Sequence, residues 1–327
     1  MPPLLTPLAN WVRRQPLLRR AAHGCVRAIP DSRWTTTVEG LGRVRIRLRR
    51  HRWFLWEAFG AHDGPLFAAF DRLVVPGDPV WDIGANIGVY TRVLRQWFGA
   101  GPIVAIEPMA DNFALLTANI ALGPRAPGES GGPMADVTAL RLALSDRAGE
   151  ETLQVDDVTS GTAVLDSIAG GHASAGRRSA GLPPAIERVR VERLDDLIAT
   201  EGLPAPRMMK IDTEGAEVQV LRGALETLRR HRPRLSIALH GVDKAEGTIA
   251  LLDEVGYRVA AEVLESAAGD RGADGRRPTA WRFVRRGDAP LLANNNVIAA
   301  AVEESALLAA PLGTRPPGPR PARTEPR

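Results

Sequence analysis

One cysteine, two lysines and two tyrosines are all that these 327 residues contain of those types, and each scarcity closes off a class of protein. A lone Cys25 excludes an intramolecular disulfide framework and a cysteine-based metal cluster, and it fits a reducing compartment. Tyr90 and Tyr257 have no lysine four positions on, so the Tyr-x-x-x-Lys pair of a short-chain-type dehydrogenase is missing. No apolar run reaches the 18 residues of a membrane span. Arg13, Arg14, Arg19 and Arg20 interrupt the amino-terminal apolar stretches before an export signal forms, and no apolar segment follows Arg13-Arg14 as a twin-arginine signal requires. The expectation is a cytoplasmic protein.

With 44% hydrophobic and 24% charged residues, the composition is that of a globular chain with a sizeable core. The pI of about 9.9 invites a nucleic-acid reading, which the charge distribution opposes. Residues 1–52 hold 12 arginines and 2 acids, and residues 315–327 hold 4 arginines and 1 acid. Removing these from the totals of 42 bases and 38 acids leaves 26 and 35, so residues 53–314 are net acidic. No nucleic-acid partner is expected. Residues 3–28 place leucines, Trp11 and Val12 among arginines at roughly helical spacing, although Pro7 and Pro16 break it. The stretch reads as a cap packed on the body, with peripheral membrane contact through residues 1–30 as the alternative.

In residues 35–49, Val44, Ile46 and Leu48 alternate with Arg43, Arg45, Arg47 and Arg49, which predicts a half-exposed strand, the second arm of a hairpin turning at 39–42. From residue 65 helices and short apolar strands alternate, as in a doubly wound parallel sheet. Strands are expected at 79–83, 103–106, 137–142, 151–155, 188–192, 207–211, 235–239, 257–260 and 281–284. Helices are expected at 65–74, 87–98, 110–122, 215–230 and 245–255. Residues 156–186, rich in Gly, Ser and Ala, read as a lid-like loop. An Ala-rich helix is expected at 297–310, before a disordered Pro/Arg tail. The fold class is α/β, a Rossmann-like sheet of about seven mostly parallel strands. A basic extension (1–64), a body (65–286) and a terminal segment (287–327) divide the chain.

The stretch PVWDIGANIGVYT at 79–91 reads as a buried strand, a glycine turn and a helix start, the layout of a nucleotide-binding turn. Glu107 ends the next strand, where a carboxylate accepts both hydroxyls of an adenosine ribose. A dinucleotide turn needs G-x-G-x-x-G, whereas Asn86 stands between Gly84 and Gly88 with no glycine following. Asp82 beside the ligand would oppose a pyrophosphate and favour a sulfonium cation, which points to S-adenosylmethionine. Strand-end polar residues Asp212, Glu214 and His240 collect at the same edge. A divalent cation held by Asp212 and Glu214 is the further cofactor considered.

These residues resemble the FkbM-type methyltransferases of the class I S-adenosylmethionine-dependent superfamily. The likeness rests on VWDIGANIGVYT at 80–91, VAIEP at 104–108, ALLTANI at 114–120, LALSDRAGEETL at 142–153, VERLDDLI at 191–198, MKIDTEGAEVQVLRGA at 209–224 and PRLSIALHG at 233–241. It implies a methionine-side turn of Asp82, Gly84, Asn86 and Gly88, a ribose ligand at Glu107 and an adenine wall of Ala143, Leu144 and Ser145. Asp212, Glu214 and Glu217 match the family's acidic motif, and Ala238 stands where many relatives carry glutamate. Glu217, in the first turn of a helix, reads as structural. The resulting expectation is O-methyl transfer to a hydroxyl of a sugar, glycan or polyketide-like metabolite, with Asp212, helped by Glu214 or His240, taking up the proton. The rival reading is a non-catalytic adenosyl-cofactor-binding protein that meets membranes or acidic partners through its basic amino terminus, and an NAD-dependent dehydrogenase ranks below both.

Overall fold

The computed structural model describes residues 31–38, 40–56, 64–123, 134–158, 162–168, 175–240, 242–264, 282–284 and 296–301. The expected amino-terminal helix and the carboxy-terminal tail lie outside the described residues. None of the described helices is long and apolar enough to cross a membrane.

Strand β3 (Val80–Ile83) is the axis of the fold. All four of its residues are buried, because both faces of a parallel strand are covered and no alternation with polar residues is needed. Val80 packs in one hydrophobic cluster and Trp81 and Ile83 in another, one cluster on each face of the sheet. Helix α2 (Gly64–Leu73) leads into β3, and α3 (Val89–Phe98) leaves it. The chain then moves outward through β4 (Ile103–Ile106), α4 (Ala110–Leu122) and β5 (Val137–Leu140). It later returns to the other side of β3 with β10 (Met208–Ile211) and β11 (Arg234–Ala238). Strand order therefore reverses between β3 and β10, where an open parallel sheet leaves a crevice at the carboxyl ends of its strands.

The sheet is completed by β12 (Tyr257–Leu264), β13 (Arg282–Val284) and β14 (Asn296–Ala301). Its order is β13-β12-β14-β11-β10-β3-β4-β5, and the first three run antiparallel to their neighbours. Among the described residues it has eight strands, in keeping with the about seven expected. Residues 297–301 of the expected Ala-rich helix 297–310 are instead part of β14, which pairs with both β11 and β12, and the remainder lies outside the described residues. An unfilled sheet position outweighs the helical preference of three alanines. The helix expected at 215–230 is two helices, α7 (Glu217–Arg222) and α8 (Leu225–Arg230). They break at Gly223, where an added Cβ would sit 2.0 Å from the carbonyl oxygen of Ser145. Asp195, in helix α6 (Leu194–Glu201), then accepts the exposed amides of Glu226 and Thr227, both at 2.9 Å, and so caps α8. Helix α9 (Val242–Glu254) follows β11.

Beyond β5 lies a second sheet that the sequence did not announce. Its order is β6 (Ala143–Leu144), β9 (Ala185–Glu192), β7 (Gly149–Asp156) and β8 (Thr162–Leu165). The stretch 156–186, read as a loop, thus contributes a strand paired with β7 and the short helix α5 (Ala175–Ser179). Leu153, Val155, Leu165, Val189 and Val191 bury one face of this sheet.

The basic extension contains the predicted hairpin, β1 (Arg33–Val38) paired with β2 (Gly42–Arg47), followed by helix α1 (Trp53–Trp56). Val38, Leu41, Val44 and Ile46 enter the same hydrophobic cluster as α2 and α3. Arg92 of α3 is fully buried, and its guanidinium donates to the carbonyls of Leu41, Arg43 and Gly123. Asn119 of α4 extends the edge of β2, accepting the Arg45 amide at 2.6 Å and donating to its carbonyl at 3.0 Å. The hairpin is thereby part of the body's packing.

Candidate active site

A cavity of about 530 Å³ opens at the reversal point, a size suited to a cofactor-scale ligand. Gly84 shapes it. With φ at 75° this residue occupies the left-handed region, and a Cβ there would lie 1.9 Å from the carbonyl oxygen of Asp212. The glycine thus lets the ends of β3 and β10 close on one another, which brings Asp212 to the turn. Asn86, also left-handed at φ 51°, directs its amide to Glu107 Oε2 at 2.9 Å.

Glu107 lines the cavity and is 5% exposed. Its Oε1 accepts the Met109 amide at 3.0 Å, and the Asn112 side chain bonds to it as well. Burial pushes the carboxyl up, while Met109, Asn86, Asn112 and Lys210 pull it back, leaving it at about 7. Leu142, Ala143 and Leu144 line the cavity with apolar surface. Ser145 and Gly88 do not reach the cavity. Ser145 is buried with its carbonyl against Gly223, and Gly88 closes on Leu116.

Asp82 also departs from expectation. It is fully buried, does not line the cavity, and binds the Thr91 hydroxyl at 2.6 Å and Lys210 Nζ at 3.1 Å. The cause is register: Asp82 and Lys210 are paired across β3 and β10 and share a face. Burial pulls the Lys210 ammonium down, but Asp82 and Asp212 outweigh it and raise it overall. The carboxylate expected to meet a cationic ligand is already neutralised. Lys210 also donates to the Gly84 carbonyl at 3.1 Å and stands 3.7 Å from Asp212, tying the turn to β10.

Asp212, Thr213 and Glu214 line the opposite end, and His240 sits behind them. His240 Nε2 is 3.6 Å from Asp212 and 3.7 Å from Glu214, and Nδ1 is 2.9 Å from Glu217. Glu217 is fully buried and also accepts the Gly215 amide at 2.9 Å. It is structural, as read from sequence, but what it holds is the histidine rather than only a helix end. Burial lowers the imidazole, yet Glu217, Glu214 and Asp212 more than reverse this and raise it to about 9. These three carboxylates favour the protonated imidazolium. Glu214, left-handed at φ 53°, is raised by burial despite His240. One ligand atom from each of Asp212, Glu214 and His240 falls within 4.8 Å of the others, so the donor types fit a divalent cation, but such an ion must first displace the imidazolium proton.

The cavity also receives residues to which the sequence assigned no role, Tyr90 among them although it lies within the turn motif at 80–91. His51 and Phe54 come from the extension, Tyr90 from α3, Asn112 from α4, and Thr162, Ala163 and Leu165 from β8. Two of them had a local signal, Tyr90 inside the turn motif and Asn112 in the first turn of the helix after Glu107.

Residues 82–259 match the model of the methyltransferase FkbM domain. Among individual proteins, the chain is 33% identical over 206 residues to the 31-O-demethyl-FK506 methyltransferase FkbM of Streptomyces tacrolimicus, covering 57% of this chain and 75% of that one. It is 26% identical over 161 residues to the hexuronic acid methyltransferase AglP of Haloferax volcanii, covering 46% and 52% respectively. The methyltransferase sdnD of Sordaria araneosa is 27% identical over 175 residues, covering 48% and 64%. The chain spans only about half of AglP and under two thirds of sdnD.

Proposed function

Because the chain belongs to the FkbM family of S-adenosylmethionine-dependent methyltransferases, we propose that its cavity binds S-adenosylmethionine and that it methylates a hydroxyl of a sugar, glycan or polyketide-like metabolite. The observation that carries this reading is one cavity with a ribose-type carboxylate, Glu107, at one end and the carboxylates Asp212 and Glu214 at the other. Two relatives named for a demethylated FK506 and for a hexuronic acid support the acceptor class.

Glu107 holds the ribose, Ala143 and Leu144 pack on the adenine, and the Gly84–Asn86 backbone flanks the amino-acid part. When bound, S-adenosylmethionine supplies an electrophilic methyl group. Asp212 accepts the proton of the acceptor hydroxyl, and Glu214 holds that hydroxyl in place. His240 positions the two carboxylates and offsets their mutual repulsion, itself fixed by Glu217. Lys210 fixes Asp212 from the strand side. Surrounding apolar residues, including Phe54, Leu153 and Leu165, exclude water that would compete for the proton.

Calorimetry tests the cofactor half: S-adenosylhomocysteine binds and NAD does not, and the reverse result refutes the assignment. A second reading, a divalent cation on Asp212, Glu214 and His240, is favoured by the three convergent ligand atoms. Turnover that survives chelation and does not rise with added magnesium or manganese eliminates it. Membrane association through residues 1–30 is tested by vesicle sedimentation of the full chain beside one lacking those residues.

A further inference from the structure

We infer that the aromatic ring of Tyr90 receives the sulfonium of S-adenosylmethionine, the charge that Asp82 is not available to meet. The inference rests on the cofactor reading above.

Tyr90 lines the cavity and is half-buried. It stands in the first turn of α3, one residue before Thr91, whose hydroxyl donates to Asp82 at 2.6 Å. Lys210 locates its ring. The ammonium lies over that ring, 5.3 Å from its centre, while donating to the Gly84 carbonyl at 3.1 Å and standing 3.7 Å from Asp212. The ring is therefore at the end of the cavity where the glycine turn meets Asp212, the end that takes the amino-acid part of the cofactor and its reacting methyl. Packing sets the plane of the ring. Phe67 and Phe70 of α2 meet it edge-on, both with centroids 6.4 Å away, at interplanar angles of 62° and 83°.

Asp82 cannot take this role, because it is fully buried and bound to Thr91 and Lys210. A sulfonium also asks for something other than a point charge. Its charge is spread over sulfur and the hydrogens of three attached carbons, and it has no N–H or O–H for a carboxylate to accept. The face of an aromatic ring carries the negative side of its quadrupole and attracts such a cation. Lys210 does not oppose this, since Asp82 at 3.1 Å and Asp212 at 3.7 Å offset its charge. Once the methyl group has left, the cofactor is a neutral thioether and the attraction is gone. Tyr90 thus separates S-adenosylmethionine from S-adenosylhomocysteine and favours exchange of product for fresh cofactor.

The test is calorimetry on the full chain with these two ligands, which differ by one methyl group and one charge. Tyr90→Leu weakens S-adenosylmethionine about tenfold and leaves S-adenosylhomocysteine within about twofold, whereas Tyr90→Phe binds both as the wild type does. Equal losses for the two ligands in Tyr90→Leu, or none for S-adenosylmethionine, overturn the role of the ring. A loss in Tyr90→Phe as large as in Tyr90→Leu assigns the effect to the hydroxyl and overturns it too. Failure of the wild type to bind either ligand refutes the cofactor reading instead. Should Tyr90→Leu not fold, phenylalanine and its increasingly fluorinated derivatives at position 90 decide, because fluorine withdraws charge from the ring face. Affinity for S-adenosylmethionine then falls stepwise with fluorine while that for S-adenosylhomocysteine stays level, and the absence of such a trend overturns the proposal.

Discussion

With Glu107 as the proposed ribose ligand, cofactor affinity should rise with pH. Burial pushes the Glu107 carboxyl up from an ordinary value of 4.5 to about 7. That rise corresponds to roughly 3 kcal/mol opposing the charged form in the fold. The associated stability is present below the ordinary value and is lost as pH climbs through about 7. Ligand binding has the opposite preference, since only the anion accepts both ribose hydroxyls. At pH 6 about one molecule in ten is ionised and at pH 8 about nine in ten, so affinity for S-adenosylhomocysteine rises about tenfold between them. The two histidines near the cavity keep their charge over this window, His51 at about 4 and His240 at about 9. Glu214 is also raised, so Glu107→Gln is the control: it keeps the titration of Glu214 and removes that of Glu107. In this variant affinity falls by more than tenfold at pH 8 and loses its pH dependence. Isothermal calorimetry at pH 6, 7 and 8 in buffers of different ionisation enthalpy measures both affinity and proton uptake. Wild-type affinity that is flat or declining from pH 6 to 8 refutes the assignment of Glu107.

Lys210→Met leaves Asp82 fully buried without its cation, and denaturant unfolding should show a loss of about 3–5 kcal/mol. The double variant with Asp82→Asn recovers much of that loss, which an independent effect of the lysine would not allow. Arg92→Leu abandons three buried carbonyls at the base of the hairpin and costs about 3 kcal/mol or more. Limited proteolysis then cuts within residues 31–56 before the body.

Much of the sheet could be read from the sequence because its signals are local. The apolar run of β3, the turn at Gly84 and the carboxylate of Glu107 sit within 30 residues of one another, and helix 110–122 matched to the residue. Asp82 was misjudged for the opposite reason. Its partner Lys210 lies more than 120 residues away and meets it only through strand register. The same limit hid the docking of the extension, where Arg47 and Arg50 bind Asp111 at the start of α4. Strand β14 was obscured by alanines whose preference is helical until a sheet offers hydrogen-bonding partners. In 156–186 the small residues signalled a loop, yet Thr162–Leu165 needs only one strongly buried leucine to pair with β7.

The proposed function turns on Asp212 receiving the hydroxyl proton in a cavity that binds the cofactor independently of it. Incubation with methyl-labelled S-adenosylmethionine and hydroxyl-rich sugar, glycan or polyketide acceptors, with mass-spectrometric identification of the product, tests it most directly in wild type and Asp212→Asn. The wild type should yield a labelled methyl ether. In Asp212→Asn the rate falls about 100-fold or more, while S-adenosylhomocysteine affinity stays within about twofold. Label on nitrogen or carbon, or an undiminished rate in Asp212→Asn, contradicts it.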